Sequence, residues 1–116
     1  PHPLAPFARK EAEPAAVAGK QIYELVGGSA RRDYEIRKVL ECVVDRGSFD
    51  EYKAEYGKTL VCGTARIGGF PVGIVANQHH AEKPAEGAVQ FGGVIYVDGA
   101  EKAARFVMNC NQDWLP

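Results

Sequence analysis

Two short groups in this 116-residue chain are placed to do chemistry with backbone more than with side chains. Asn77 and Gln78 follow the continuously apolar run 71–76, where a strand ends and an irregular loop begins. Phe91, Gly92 and Gly93 precede a second apolar run, Val94 to Val97. A glycine pair lets bare backbone come close to a ligand, because no Cβ stands in the way. The two groups suggest a half-built active-site scaffold that would use backbone groups more than side chains. A purely structural bulge uses the same residues, and the sequence leaves both readings open.

The other candidates are weaker. Adjacent histidines such as His79 and His80 point in different directions, and no Cys, Asp or Glu lies near with ligand spacing. They read as a solvated loop pair, and no metal site is expected. Asp50, Glu51 and Glu55 read as surface charges, because acid–base work needs a cleft partner. No GxSxG, HExxH, Walker or Rossmann pattern is present. No catalytic side chain is therefore assigned. Arg105 reads as solvated, and Trp114 as an anchor for the last helix. Cys42, Cys62 and Cys110 lack CxxC spacing and are odd in number. They fit a reducing compartment, as small core residues.

The elements that must position these groups follow from periodicity and turn chemistry. Residues 1–19 hold four of the seven prolines and read as a linker, wrapped over a surface or left mobile. Residues 20–26 make a helical turn that stops at Gly27-Gly28. Asp33 is the expected N-cap of a helix whose apolar face is Ile36, Val39, Leu40, Val43 and Val44, with Gly47 at its end. Residues 48–56 suggest a short edge strand. Thr59 to Ile67 and Val72 to Ala76 form a hairpin about Gly68-Gly69. The run 71–76 should be covered on both faces. Residues 77–89 form a polar loop and Val94 to Val97 a buried strand. Asp98 and Glu101 suggest a capping box opening a last helix. Ala100, Ala103, Ala104, Val107 and Met108 are its expected buried face.

Composition narrows the function. A formal net charge of −1 gives no electrostatic basis for binding nucleic acid or an anionic membrane. Hydrophobic content of 46 % and charged content of 25 % are ordinary for a globular domain. No apolar run approaches the ~20 residues that span a bilayer. A cytoplasmic site is expected, or the mitochondrial matrix in a eukaryote.

Residues 34–78, YEIRKVLECVVDRGSFDEYKAEYGKTLVCGTARIGGFPVGIVANQ, closely resemble the opening of the second half of carboxyltransferase (beta) subunits of biotin-dependent acyl-CoA carboxylases, of the propionyl-CoA and methylcrotonyl-CoA types. FGGVIYVDGAEKAARFVMNCNQDWLP, residues 91–116, continues the pattern, and the likeness covers about residues 20–116. The resemblance implies an α/β, crotonase-like (ClpP/crotonase) fold, a partial β-β-α spiral at the start of the C-terminal half. Residues 1–19 would be the interdomain linker, and 20–116 the first part of the biotin-side half. It implies carboxyl transfer from carboxybiotin on a carrier protein to an acyl-CoA, with oxyanions stabilised by backbone amides. Asn77, Gln78, Phe91, Gly92 and Gly93 would line the biotin-side pocket. Implied partners are a biotin carboxylase and biotin carboxyl carrier subunit, and further copies of the parent subunit. Such a fragment would not turn over alone. Loop 77–90 resembles that of methylcrotonyl- or glutaconyl-type members. Two alternatives stand beside this reading: a biotin-dependent decarboxylase of the glutaconyl-CoA type, and a non-catalytic crotonase-like interaction module.

Overall fold

The computed structural model describes residues 9–27, 33–84 and 87–116. After a 3-10 turn at Gly19–Gln21 come α1 (Ile22–Val26), α2 (Ile36–Leu40), β1 (Asp50–Tyr52), β2 (Leu60–Ile67), β3 (Phe70–Asn77) and α3 (Val97–Gln112). The three strands form one antiparallel sheet in chain order, with β2 in the centre.

The hairpin forms because both runs favour strand and two glycines join them. Leu60 pairs with Asn77 and Ile67 with Phe70. Gly68 and Gly69 have φ of 58° and 82°, the left-handed geometry that matches strand twist in a two-residue turn. Asp45 fastens this turn. Its carboxylate accepts the Gly68 N–H at 2.9 Å, the Gly69 N–H at 2.7 Å and the Glu13 N–H at 3.4 Å. Burial opposes the charge on Asp45, but these donors outweigh it and hold the carboxyl below its usual range. Residues 9–17 lie over the same turn. Lys10 N–H donates to Gly69 O at 3.0 Å, and Arg46 N–H donates to Pro14 O at 3.1 Å.

β3 takes a proline because it is an edge strand. Pro71 faces Arg66 across the ladder, at a position whose nitrogen points away from β2. Gly73 lies two residues on, and its outward N–H donates to Pro116 O at 2.6 Å. The core is built on β2, where Val61 and Cys62 are fully buried. Leu40, Val44, Phe106 and Leu115 surround them.

Several expectations are corrected. α2 is capped by Glu35, not Asp33, and its regular part ends at Leu40. Turns carry the chain on to Val44, and Val43 faces solvent. The run 71–76 is not covered on both faces, since Val75 is 46 % exposed. Residues 94–96 are not a strand, and Val97 is already helical. β-branched residues suit a strand, but no neighbouring strand pairs with these among the described residues. Instead the Tyr96 hydroxyl accepts the Phe91 N–H at 2.9 Å and closes 91–96 into a turn. α3 is capped by Tyr96 without a side-chain bond, so the Asp98–Glu101 capping box does not form. Asp98 accepts the N–H of Gly99 and Glu101 accepts the hydroxyl of Tyr56.

The buried face of α3 is Gly99, Lys102 and Phe106, whereas Ala100, Ala104, Val107 and Met108 are exposed and Ala103 is half-buried. The reason is steric. A Cβ on Gly57 would lie 2.9 Å from the Cα of Gly99, so these two glycines set how closely the helix approaches. Trp114 is 71 % exposed, and Leu115 is the residue that anchors the helix end. Residues 1–8 of the expected linker, Gly28 of the first glycine pair and residues 85–86 of the polar loop lie outside the described residues.

Candidate functional site

Gln78 brings the two predicted groups together. It is fully buried at the end of β3. Its N–H extends the hairpin by donating to Thr59 O at 2.9 Å, and its carbonyl accepts the Gly93 N–H at 2.9 Å. Its side-chain Oε1 accepts the N–H of Ile36, the first residue of α2, at 2.7 Å, and that of His79 at 3.3 Å. Its Nε2 donates to Glu35 Oε2. One side chain thus joins the sheet end to the α2 start, while its backbone holds the glycine pair.

The glycines now have separate reasons. A Cβ on Gly92 would meet His80 N at 2.6 Å and Gln78 O at 2.8 Å, so backbone packing excludes any side chain. Gly93 has φ of 81°, and its Cβ position opens into space. The Gly93 N–H is taken by Gln78. The Gly92 N–H has no partner among the described residues. Asn77 pairs with Leu60 at a position whose N–H points away from β2, and its side chain is exposed. The Phe91 ring is 63 % exposed beside them. The structure therefore gathers all five predicted residues at one end of the sheet. Among the described residues the Asn77 and Gly92 amides have no partner, and the Phe91 ring is exposed. The Gln78 side chain is consumed in positioning.

A charged network that sequence reasoning missed supports Gln78. Arg37 grips Glu51 with two parallel bonds, 2.6 Å and 2.7 Å, and donates to Glu35 at 2.5 Å. Glu51, read as a surface charge, is instead a mostly buried residue of β1, paired with Arg37 and with a side chain 15 % exposed. Asp50 is exposed and Glu55 almost fully so, as expected. Burial disfavours the charged form of Glu35, but the Arg37 and Gln78 hydrogen bonds more than offset it and lower its pKa. The Glu51 bonds raise the pKa of Arg37 further, against the effect of burial.

The two histidines are not a solvated pair. His79 stacks on Tyr34 with ring centroids 4.6 Å apart. His80 lies between Glu35 and Glu82, 3.6 Å and 3.5 Å from their oxygens. The sequence offered only two opposite charges, Glu35 and Arg37, at a helix start; their pairing with each other and with Glu51 is set by the tertiary fold. Among the described residues no group of three or more His, Cys, Asp or Glu is arranged to hold a metal ion. The cysteines are free, with Cys42 and Cys62 buried and Cys110 half-buried.

The carboxyl transferase domain model matches residues 2–116. The chain belongs to the carboxyl transferase family. This carboxyl transferase chain is 35 % identical over 106 residues to the methylcrotonoyl-CoA carboxylase beta chain, mitochondrial, of Dictyostelium discoideum; the match covers 91 % of the chain and 16 % of that protein. It is also 35 % identical over 106 residues to the glutaconyl-CoA decarboxylase subunit alpha of Acidaminococcus fermentans, covering 87 % of the chain and 18 % of that subunit. Among solved structures, a single-chain, multi-domain long-chain acyl-CoA carboxylase superposes with a TM-score of 0.78 at 28 % identity, over 97 % of this chain and 11 % of that one. The fold is crotonase-like α/β, here a partial unit of one sheet and its helices. The carboxyl transferase chain spans about one sixth of the length of these curated relatives.

Proposed function

We propose that this chain is part of a carboxyltransferase that moves a carboxyl group from carboxybiotin, presented on a carrier protein, to an acyl-CoA. The observation that carries this reading is the family match across residues 2–116, which includes both backbone segments that meet at Gln78. The partners are a biotin carboxylase and a biotin carboxyl carrier subunit, with further copies of the parent subunit. The chemistry belongs to an assembly larger than this chain, because the relatives that carry it are about six times as long.

This reading assigns biotin's flat ureido ring to the sheet end. Among the described residues the Asn77 and Gly92 N–H groups have no partner, and the exposed Phe91 ring would supply an apolar wall. Biotin, when bound in its carboxylated form, supplies the carboxyl group. The chain's own residues would bind and orient it. The two amides would stabilise an oxygen that gains negative charge, at no reorganisation cost because the sheet and the Gln78 carbonyl already fix them. Gln78 is a positioning residue that holds 92–93 against 78–80.

The reverse direction, from acyl-CoA to biotin, has one observation in its favour. The glutaconyl-CoA decarboxylase subunit is as similar to this chain as the methylcrotonoyl-CoA carboxylase chain is. The same donors serve both directions.

The test uses amide NMR of the full 116-residue chain, titrated with biotin. Shifts should centre on Asn77, Phe91 and Gly92. Asn77→Pro removes a donor that the ladder does not use, so hairpin peaks should stay while the biotin response at Phe91 and Gly92 weakens. A response confined to other residues, or one that the variant leaves untouched, overturns the assignment.

A further inference from the structure

Along α3, beside the turn at residues 53–56, lies a half-open cleft of about 820 Å³. Its lining includes Lys53, Tyr56, Glu101, Lys102, Arg105 and Met108. Carboxyl transfer at the sheet end uses none of these residues.

Lys102 is the unusual member. It is 2 % exposed. Its Nζ donates to Tyr56 O at 2.6 Å and to Lys53 O at 3.4 Å. An ammonium has three protons to place, and no carboxylate forms an ion pair with this one among the described residues. A buried cation without a counter-ion is costly, and burial pushes its pKa down.

Lys53 adds a second oddity. Its φ of 47° is a left-handed value that favours glycine. A long cationic side chain is kept where the backbone would prefer none, and such strain tends to accompany function. Its Nζ lies 5.5 Å from the Tyr52 ring centroid, a soft contact that leaves its protons available. Arg105 is exposed and has no partner among the described residues. Glu101, among the lining residues, accepts the Tyr56 hydroxyl at 2.9 Å.

Two exposed cations, Lys53 and Arg105, therefore border the cleft, while Lys102 spends its ammonium on the carbonyls of the turn and Glu101 is already hydrogen-bonded. Their two positive charges match a phosphate monoester, which carries roughly −1.5 to −2 at neutral pH. Tyr56 and the exposed Met108 offer surface for a flat apolar body, and the volume lies within the range of small-ligand pockets.

We propose that this cleft binds a small phosphate monoester with an aromatic body, the phosphate held by Lys53 and Arg105, with Lys102 a positioning residue that fixes the turn at 53–56. The inference is independent of the carboxyl-transfer reading.

The test is calorimetric titration of the full 116-residue chain with AMP at low salt, and separately with inorganic phosphate. AMP should bind, and inorganic phosphate should bind more weakly and compete. Arg105→Ala should weaken AMP by about tenfold or more, the scale of one charge-assisted hydrogen bond. Lys53→Gly should weaken it comparably while the melting temperature holds or rises, because glycine relieves the positive φ. Loss of binding together with loss of stability in Lys53→Gly would mark a structural role and overturn the proposal. So would the absence of AMP binding, or AMP affinity unchanged in both variants. Equal affinity for phosphate and AMP would overturn the part assigned to the aromatic body.

Discussion

Replacing Gln78 by alanine tests whether one buried amide holds the sheet end together. The side chain is fully buried and makes three hydrogen bonds, to the amides of Ile36 and His79 and to the Glu35 carboxylate. A net bond between neutral groups is worth about 1 kcal/mol and one to a carboxylate about 2 kcal/mol. Glu35 is partly solvated, with 28 % of its side chain exposed, and water recovers part of the second term. The 3.3 Å bond from His79 is too long to add much, and the desolvation cost of the orphaned Ile36 amide offsets what water recovers at Glu35, so the total is about 3 kcal/mol. An unfolding entropy of about 2.1 cal/mol/K per residue turns this into a melting-temperature drop of about 12 °C. Thermal unfolding followed by circular dichroism at pH 7 measures the drop. Hydrogen exchange at Gly93 should accelerate alongside it, since that amide bonds to the Gln78 carbonyl. Gln78→Glu sharpens the test. It keeps an acceptor for Ile36 but sets a second carboxylate against Glu35. It should be at least as destabilised at pH 7, and recover as pH falls far enough for one of the pair to take a proton. A melting temperature within about 3 °C of the parent in Gln78→Ala, with Gly93 exchange unchanged, would refute the role of Gln78.

Gly69→Ala should lower stability and release residues 9–17 from the hairpin. The new Cβ would lie 1.9 Å from the Lys10 carbonyl at a φ of 82°, a collision no rotamer relieves. Faster limited proteolysis between Arg9 and Val17 is the readout, and an unchanged cleavage rate would count against it. Acid stability depends on Glu35. Its folded pKa lies below the unfolded value, so its ionised form contributes stability in full above the unfolded pKa, and this is lost as pH falls through the folded pKa. Glu35→Gln should therefore be less stable at neutral pH and show a flatter acid limb in denaturant titrations. Parallel profiles for the two proteins would contradict the network.

How far the fold was legible depended on whether the signal was local. The hairpin was legible because strand propensity, an eight-residue strand on each side and a Gly68-Gly69 turn all agree. α1 was legible from its glycine stop, and α3 from helical spacing. The buried face of α3 was not, because small residues at Ala100 and Ala104 mimic a packing face. The real contact is made by two glycines brought together across 57 and 99, and by a lysine that buries its stem. Val94 to Val97 misled because β-branching reports compatibility with a strand, not the presence of a neighbour. The candidate site was legible as a gathering of Asn77, Gln78, Phe91, Gly92 and Gly93. The division of labour within it was not, because it depends on which polar groups tertiary contacts have already satisfied. The Arg37–Glu51 pair shows the same limit, joining residues on two separate elements.

The outward side of β3 bears on solubility. An edge strand this apolar, with Phe70 and Val75 half exposed, is the kind of surface on which extended chains stack into aggregates. Yet its donors are few. Of the outward positions, Pro71 has no N–H and Gly73 has already given its own to Pro116. An incoming strand would find no free N–H at two successive rungs and would meet its first one at Val75. Pro71 therefore protects as a gatekeeper without weakening the hairpin, because the hydrogen it lacks is one that β2 never used. Pro71→Val would leave the folded chain about as stable and make it prone to assemble with itself through a strand that the native sequence keeps closed.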